Sequence, residues 1–184
     1  MLAPNPPLGD GVVILRVPSA GDVDALTLAC QDPLIARFTR LPSPYGRDDA
    51  VAFVRRAGAA WAAGMEFHFV IAAADDDRLL GCLGVIVRHE RRAVEVGYWV
   101  AAAERGRGVA SRAAVLASRW ALDALRYPRV ELFTSLDNRA SQKVAEHAGF
   151  KVVGIRGAEP GGGDEALVAF ELAAGAGTEN AQNR

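Results

Sequence analysis

Residues 105–110 read Arg-Gly-Arg-Gly-Val-Ala and lie between a predicted strand that ends near Val100 and a predicted helix that they open. The first turn of a helix leaves about four backbone N–H groups unpaired and carries a partial positive charge. Glycine lets a ligand approach those groups closely, so this turn favours a bound phosphate, to which Arg105, Arg107 and Arg112 would add full charges. The alternative interpretation is a glycine-containing loop with solvated arginines.

Two other phosphate-binding motifs do not fit the same residues. A P-loop requires Gly-Lys followed by Ser or Thr, whereas Gly108 is followed by Val109. A dinucleotide-binding turn requires a third glycine, but Ser111 stands at that position. The next predicted strand ends near Asp137, which is later than the acidic residue expected about 20 positions on.

The composition is typical of one globular domain. The chain has 184 residues, of which 51% are hydrophobic and 23% are charged, and its formal net charge is −1. This near-neutral balance gives no sign of a nucleic-acid partner, so any anionic ligand must be bound locally. Cys30 and Cys82 match no metal-ligand spacing, and we expect them to be reduced thiols that pack in the core.

Hydropathy and the chain ends predict where the domain lies. No apolar run approaches the roughly 20 residues that span a bilayer, and the first residues do not resemble a secretory signal. We therefore expect a cytoplasmic protein with no membrane partner. Residues 1–10 are expected to form a disordered arm, residues 11–172 a single domain, and residues 173–184 a disordered tail that buries too little surface to offset its ordering entropy.

Apolar periodicity predicts an α+β domain with helices on both faces of a mixed sheet. A first helix carries residues 23–29, and further helices are expected at about 48–63, 106–125 and 139–147. Strands are expected at 13–17, 66–73, 79–88, 93–100, 130–136, 150–156 and 165–172. Three prolines in residues 32–46 indicate that this segment is not one regular element, while its apolar side chains indicate that it packs onto the domain.

Two motifs resemble one enzyme superfamily. The turn is similar to the pyrophosphate-binding motif Arg/Gln-x-x-Gly-x-Gly/Ala of the GCN5-related N-acetyltransferases (GNAT), with Arg105, Gly108 and Ala110 at the three specified positions. Residues 137–150 resemble the Asn-x-x-Ser…Gly-Phe segment of the RimJ/RimL-like branch, which acetylates the N-termini of ribosomal proteins. The likeness also includes residues 41–45 and 97–100, and it extends over about residues 15–172.

The resemblance implies a fold and an activity. The implied fold is a central, mostly antiparallel sheet of six or seven strands flanked by about four helices. The implied reaction transfers acetyl from acetyl-CoA, without a metal, to a primary amine such as the α-amine of a protein or peptide. Three alternatives stay open: a small-molecule amine, another acyl group such as succinyl held by Arg37, Arg40 and Arg156, or a non-catalytic acyl-CoA sensor. A monomer and a homodimer also both stay open.

The resemblance further implies a cofactor site. The pantetheine arm would lie in a splayed gap between residues 99–101 and 130–136, where a free backbone N–H near Trp99 or Val100 would donate to the developing oxyanion. The implied cofactor-binding residues are Trp99, Val100, Ala101, Arg105, Gly106, Arg107, Gly108, Val109, Ala110, Asn138, Ser141 and Lys143.

Two residues are the implied catalytic groups. Ser141 matches the serine that this branch places near the CoA sulfur, where its hydroxyl would assist the departing thiolate; a local capping role is the alternative. Other superfamily members use a tyrosine four positions later, where this chain has Ala145. Glu95, flanked by valines, is either the general base or a carboxylate exposed on the far face of its strand. Asn138 would orient the pantetheine arm or cap its helix.

Overall fold

A computed structural model describes residues 3–4, 7–157 and 166–174 of the chain. The strands are β1 (Leu8–Gly9), β2 (Val13–Arg16), β3 (Glu66–Ala73), β4 (Leu79–Arg88), β5 (Ala93–Val100), β6 (Arg129–Ser135), β7 (Lys151–Arg156) and β8 (Leu167–Ala173). The helices are α1 (Val23–Ala29), α2 (Pro33–Phe38), α3 (Arg47–Ala63), α4 (Val109–Ala124) and α5 (Arg139–His147).

All eight strands form one sheet in the order β1-β2-β3-β4-β5-β6-β8-β7. Neighbouring strands are antiparallel throughout the described chain except for β5 and β6, which run parallel. Helices α1 and α3 pack on one face, which we call the open face because β5 and β6 expose side chains there. Helices α4 and α5 pack on the other face, and small buried residues of α4 allow a close approach to the sheet: Ala113, Ala114, Ala117 and Ala121.

The predicted fold class is confirmed, with one more strand and one more helix than expected. The additional strand is β1, whose residues fall inside the segment expected to be a disordered arm. It pairs with β2 because the Asp10 carboxylate accepts hydrogen bonds from the N–H groups of Val12 and Val13, each at 3.0 Å, and so closes a tight turn. Residues 158–165 and 175–184, which include most of the expected tail, lie outside the described residues.

The additional helix is α2, in the segment that the prolines made look irregular. Asp32 caps it, since its Oδ1 accepts a hydrogen bond from the N–H of Leu34 at 2.8 Å. Pro33 occupies the first helical position, where proline has no hydrogen bond to lose. The segment is not one regular element, as predicted, but it contains this short helix, which was not predicted although a capping residue followed by proline is a helix-start signal.

The parallel strands β5 and β6 separate along their length. Their register holds at two pairs, Val94 with Val130 and Glu95 with Glu131. Beyond these pairs the strands continue side by side without pairing, over residues 96–100 of β5 and 132–135 of β6. This opening, called the cleft below, ends beside the turn before α4 and the start of α5.

Candidate functional site

The turn before α4 has the geometry of an anion-binding site. Gly106 and Gly108 both adopt φ of 76°, a left-handed conformation that side chains disfavour. A Cβ atom at either glycine would meet no atom within 4 Å, so the space above the turn is open. Gly108 is the N-cap of α4, and its carbonyl accepts the first helical bond, from the N–H of Arg112 at 3.1 Å. The N–H groups of residues 108–111 therefore have no acceptor within the helix.

The three arginines of this turn are each paired with a carboxylate. The pairs are Arg105 with Asp32 at 2.7 Å, Arg107 with Glu104 at 3.1 Å, and Arg112 with Asp10 at 2.7 Å. The sequence-based expectation of three full charges available to a phosphate therefore needs correction. An anion at this turn meets backbone amides first and shares the guanidinium groups with acids that already hold them.

The backbone of β5 alternates between its two neighbouring strands. The N–H of Ala101 donates to the carbonyl of Leu80 at 2.9 Å and so points towards β4. Successive residues of a strand point their N–H groups to opposite sides, so this bond fixes the direction for the residues before it. A Cβ at Gly81 would collide with the carbonyl oxygen of Trp99, so the peptide groups of Trp99 face β4 as well. The peptide groups of Tyr98 and Val100 therefore point into the cleft.

Among the three β5 residues expected at the cofactor, Val100 has the matching backbone geometry. Its carbonyl accepts a hydrogen bond from Arg105 Nε at 3.1 Å, and its N–H points to the same side of the strand. The carbonyl of Trp99 and the N–H of Ala101 point towards β4 instead, so the cofactor roles of these two residues stay predictions. The sequence could not show which of these three residues directs its N–H into the cleft, because that direction depends on how β5 is aligned with its neighbouring strands.

Ser141 lies in the first turn of α5 and contacts a residue that sequence analysis had given no role. Its Oγ lies 2.9 Å from the phenolic oxygen of Tyr98, and its carbonyl oxygen lies 3.3 Å from the same atom. Tyr98 is half-buried, and this burial raises its pKa to about 12, although the hydrogen bond with Ser141 acts in the opposite direction. The signal was available in the strand alternation, which puts Tyr98 on the same face as Val96 and Val100 and opposite Glu95.

The other expected residues of α5 have different surroundings. Asn138 is the N-cap, and its Oδ1 accepts a hydrogen bond from the N–H of Ser141 at 3.1 Å, which matches the capping alternative. Ala145 is fully buried in the core. Lys143 is exposed and lies two residues after Ser141, about 200° further around the helix. The structure therefore gives Lys143 no place beside Ser141, and its cofactor role stays a prediction.

Glu95 lies on the open face, opposite Tyr98. Its Oε2 accepts hydrogen bonds from Arg88 at 2.9 Å and from Arg91 at 3.0 Å, and its side chain is 25% exposed. Gly97, two residues along the strand on the same face, is exposed and has no atom within 4 Å of a Cβ position. A substrate on this face could reach both the cleft and Glu95, but the carboxylate is already held by two cations.

A second carboxylate on the open face is buried. Glu131 of β6 is 1% exposed and lies opposite Glu95 in the register of the two strands. Its oxygens contact Arg91 at 3.1 Å, Arg129 at 3.2 Å and Arg156 at 3.8 Å. The guanidinium groups of Arg91 and Arg156 also lie 5.5 and 4.8 Å from the centre of the Phe133 ring. A buried carboxylate is tolerated only with such partners, so this network fixes the floor of the open face.

Helix α2 crosses the open end of the cleft. Its N-cap, Asp32, is bound to Arg105 of the turn before α4, and Arg37 near its other end is bound to Asp137, directly before α5. Arg37 also stacks on the ring of Phe38 at 5.0 Å. Two of the arginines expected to bind a longer acyl group have other partners. Arg37 binds Asp137, and Arg156 contacts Glu131.

Residues 3–4, 7–157 and 166–174 offer neither a metal site nor a membrane-spanning helix. No cluster of three or more His, Cys, Asp and Glu side chains in this part of the chain could hold a metal ion. None of the helices described there is long and apolar enough to cross a bilayer.

Comparison with known proteins places these features in a family. The sequence model of the acetyltransferase (GNAT) domain matches residues 13–151. The probable N-acetyltransferase YjcK of Bacillus subtilis (strain 168) is 35% identical over 92 residues, which are 49% of this chain and 51% of that protein. The chain thus spans about half the length of the curated relative that it matches.

Solved structures share the fold at low sequence identity. RimJ of Mycobacterium smegmatis, in complex with CoA-disulfide, superposes with a TM-score of 0.78 at 23% identity, over 89% of this chain and 83% of that one. RimL, the ribosomal L7/L12 α-N-protein acetyltransferase in complex with coenzyme A, superposes with a TM-score of 0.79 at 17% identity, over 91% and 97% of the two chains. With the domain match over residues 13–151, the chain belongs to the acetyltransferase (GNAT) domain family.

Proposed function

We propose that this protein transfers an acetyl group from acetyl-CoA to a primary amine, and that the α-amine of a protein or peptide is the leading acceptor. The observation that carries the proposal is the cleft between β5 and β6, which leads from an anion-binding turn to the hydroxyl of Ser141. Complexes of the structural neighbours RimJ and RimL with CoA-containing ligands support the choice of acetyl-CoA.

The residues present fit three parts of acetyl-CoA, which are its pyrophosphate, its pantetheine arm and its thioester. The N–H groups of residues 108–111 suit the pyrophosphate, since they are unpaired within α4 and lie at its positive end. The peptide groups of Tyr98 suit the amides of the pantetheine arm, which would take the place of a paired strand in the cleft, and the N–H of Val100 stays available for the acyl oxygen. The thioester would then lie between the open face, with Gly97 and Glu95, and the opposite face, with Ser141.

Each face of the cleft would serve a different part of the reaction. The amine nitrogen forms a bond to the acyl carbon from the open face, the carbon–sulfur bond breaks, and the amine loses its proton to solvent or to Glu95. The N–H of Val100 donates to the acyl oxygen as negative charge develops there. Ser141 donates a hydrogen bond to the departing sulfur. A thiol has a pKa of about 8.5, so its thiolate needs stabilisation more than full protonation at neutral pH.

The surroundings of Glu95 favour an acceptor that needs little help from a base. Arg88 and Arg91 both donate hydrogen bonds to the carboxylate oxygen Oε2, so this oxygen is already occupied and is not free to approach an amine. An α-amine has a pKa of about 7.7–8.0 and is about a tenth neutral at pH 7, whereas a lysine amine at about 10.4 is neutral in under one molecule per thousand. An α-amine is therefore the better match to this site, and a small-molecule amine of similar pKa is the second candidate.

The proposal also includes the cellular location and the oligomeric state of the protein. We place the protein in the cytoplasm, since its two cysteines are free thiols buried in the core. We also propose a homodimer as the assembly, because the edge strand β7 exposes three large apolar side chains, Val152, Val153 and Ile155. Light scattering of the purified protein tests this assembly.

A peptide panel tests the function. Each peptide is prepared in two forms, one with a free N-terminus and one blocked at the N-terminus but bearing lysine, and is incubated with acetyl-CoA. Thiol release and mass spectrometry should show faster acetylation of the free N-termini. Equal rates at lysine would overturn the α-amine assignment. Binding of acetyl-CoA by calorimetry without thiol release for any amine would favour the non-catalytic sensor instead.

A further inference from the structure

The hydrogen-bonded pair Tyr98 and Ser141 joins the two elements that border the cleft. Tyr98 projects from β5 and Ser141 from the first turn of α5, 43 residues later in the chain. The N–H of Ser141 is already bound to the cap residue Asn138, so the serine backbone is fixed. Only the serine hydroxyl can still change its direction, by rotation of the side chain.

The phenol can bind the serine in two ways. In one, Tyr98 donates to the carbonyl oxygen of Ser141 at 3.3 Å and accepts a bond from its hydroxyl. In the other, Tyr98 donates to Oγ at 2.9 Å, which leaves the serine hydrogen free for a third atom. Negative charge on a nearby sulfur favours the second arrangement, because only this arrangement supplies that sulfur with a donor, and the bond from Tyr98 strengthens the serine hydroxyl as that donor.

The phenol also competes with the helix for the serine. A serine in a helix commonly donates its hydroxyl to a backbone carbonyl three or four residues earlier, and such a bond would use the serine hydrogen. The bond to Tyr98 opposes that bond. The phenol stays protonated while it does so, since burial raises its pKa to about 12, well above that of a thiol.

We infer that Tyr98 is a positioning residue for Ser141, which it holds so that the serine hydroxyl donates to the departing thiolate. The inference rests on the proposed function. It also bears on the absence of a tyrosine at position 145. The phenol that other superfamily members supply from α5 is supplied here from β5, and it acts through the serine rather than on the sulfur.

The variant Tyr98→Phe removes the phenolic oxygen and keeps the ring. We expect kcat to fall about 5- to 20-fold, the effect of one hydrogen bond, while the KM for acetyl-CoA stays within twofold. In the background of Ser141→Ala the same change should have no further effect, since the group that Tyr98 positions is gone. A phenol that only supported the fold would lower kcat by the same factor in both backgrounds.

The matched control is Tyr127→Phe. Its phenol bonds to His89 Nδ1 at 2.6 Å, outside the cleft, and its loss should leave kcat unchanged. Unfolding temperatures of all variants show whether any has lost its fold. Additive losses, or an unchanged kcat in Tyr98→Phe, overturn the inference while wild-type turnover upholds the proposed function. An absence of wild-type turnover with every amine overturns both.

Discussion

Arg105 Nη2 lies 2.7 Å from Asp32 Oδ2, so this arginine of the turn before α4 is held by the residue that caps α2. The same guanidinium donates through Nε to the carbonyl of Val100. A ligand phosphate at the turn must therefore share Arg105 with a carboxylate from another element. If a phosphate binds at the turn as proposed, this ion pair would couple its binding to the position of α2.

The variant Asp32→Asn should strengthen acetyl-CoA binding about 2- to 5-fold. Asparagine keeps the cap oxygen of α2 but removes the charge that competes for Arg105, and partly exposed ion pairs contribute about 0.2–1 kcal/mol. Calorimetry measures the change. Asp24→Asn is the control, since it removes the carboxylate bound to Arg47 on another part of the surface. Weaker binding in Asp32→Asn would mean instead that Asp32 orients Arg105 for the phosphate.

The variant Gly108→Glu should abolish acetyl-CoA binding while the fold persists. Glutamate at φ of 76° costs about 1–2 kcal/mol, and its charge and bulk oppose a phosphate at the end of α4. Gly64→Glu is a matched control, because Gly64 has φ of 73°, caps the end of α3, and also has open space at its Cβ position. That variant should lose similar stability and bind normally. Equal affinity in both variants would remove the turn from the cofactor site.

The variant Ser141→Ala should lower kcat about 10- to 100-fold with little change in the KM for acetyl-CoA. The bond from serine to sulfur strengthens only as charge develops, so its loss falls mainly on the chemical step. Steady-state kinetics with a good peptide acceptor measure both constants. If kcat is unchanged, Ser141 is a structural residue of α5.

The variant Glu95→Gln should slow acetylation most at low pH. Below about pH 7 the α-amine is mostly protonated and a nearby carboxylate can take its proton, whereas above about pH 8.5 the amine is already neutral. The ratio of wild-type to variant kcat/KM should therefore shrink as pH rises from 6.5 to 9, as measured on a free N-terminal peptide. A loss that is constant with pH would mean that Glu95 acts through Arg88 and Arg91.

The variant Asp22→Asn should destabilise the fold by about 3 kcal/mol, as expected when one partner of a buried ion pair is removed. Asp22 is 4% exposed; burial alone would raise its pKa, but hydrogen bonds from Arg16 and from the N–H of Ser19 lower the pKa below its usual value. This depressed pKa stabilises the fold above about pH 4, and the stabilisation is lost as pH falls through the folded-state value. Urea unfolding of both proteins should show a difference that narrows in acid.

Local patterns predicted the frame of the molecule. The bounds of β3, β4 and β5 were predicted to the residue, because alternating apolar runs end at polar turns. The start of α4 was predicted three residues early, since glycines in the left-handed conformation precede its first turn. Helix α2 was not predicted, because three prolines in residues 32–46 argue against regular structure, while Asp32 followed by Pro33 is a short signal for a helix start.

Contacts between distant segments were beyond such patterns. The pairing of Arg112 with Asp10 joins residues 102 apart, and that of Tyr98 with Ser141 joins residues 43 apart. Neither follows from local periodicity, because both depend on which strands become neighbours. The same holds for Val100, whose backbone orientation depends on the register with β4. Motifs therefore predicted where the site lies, and this prediction stays a proposal, while the contacts of individual atoms required the sheet order.

The two rungs that join β5 to β6 divide the sheet mechanically. On one side five strands, β1 to β5, form a continuous ladder, and on the other side β6, β8 and β7 form a second one. Packing beneath α4 and α5, more than backbone bonding, unites the two halves. A molecule that hydrogen-bonds to Tyr98 and Val100 would fill the cleft and link the two halves of the sheet. Amide hydrogens on both sides should then exchange more slowly once it is bound, so binding would stiffen the connection between the two halves.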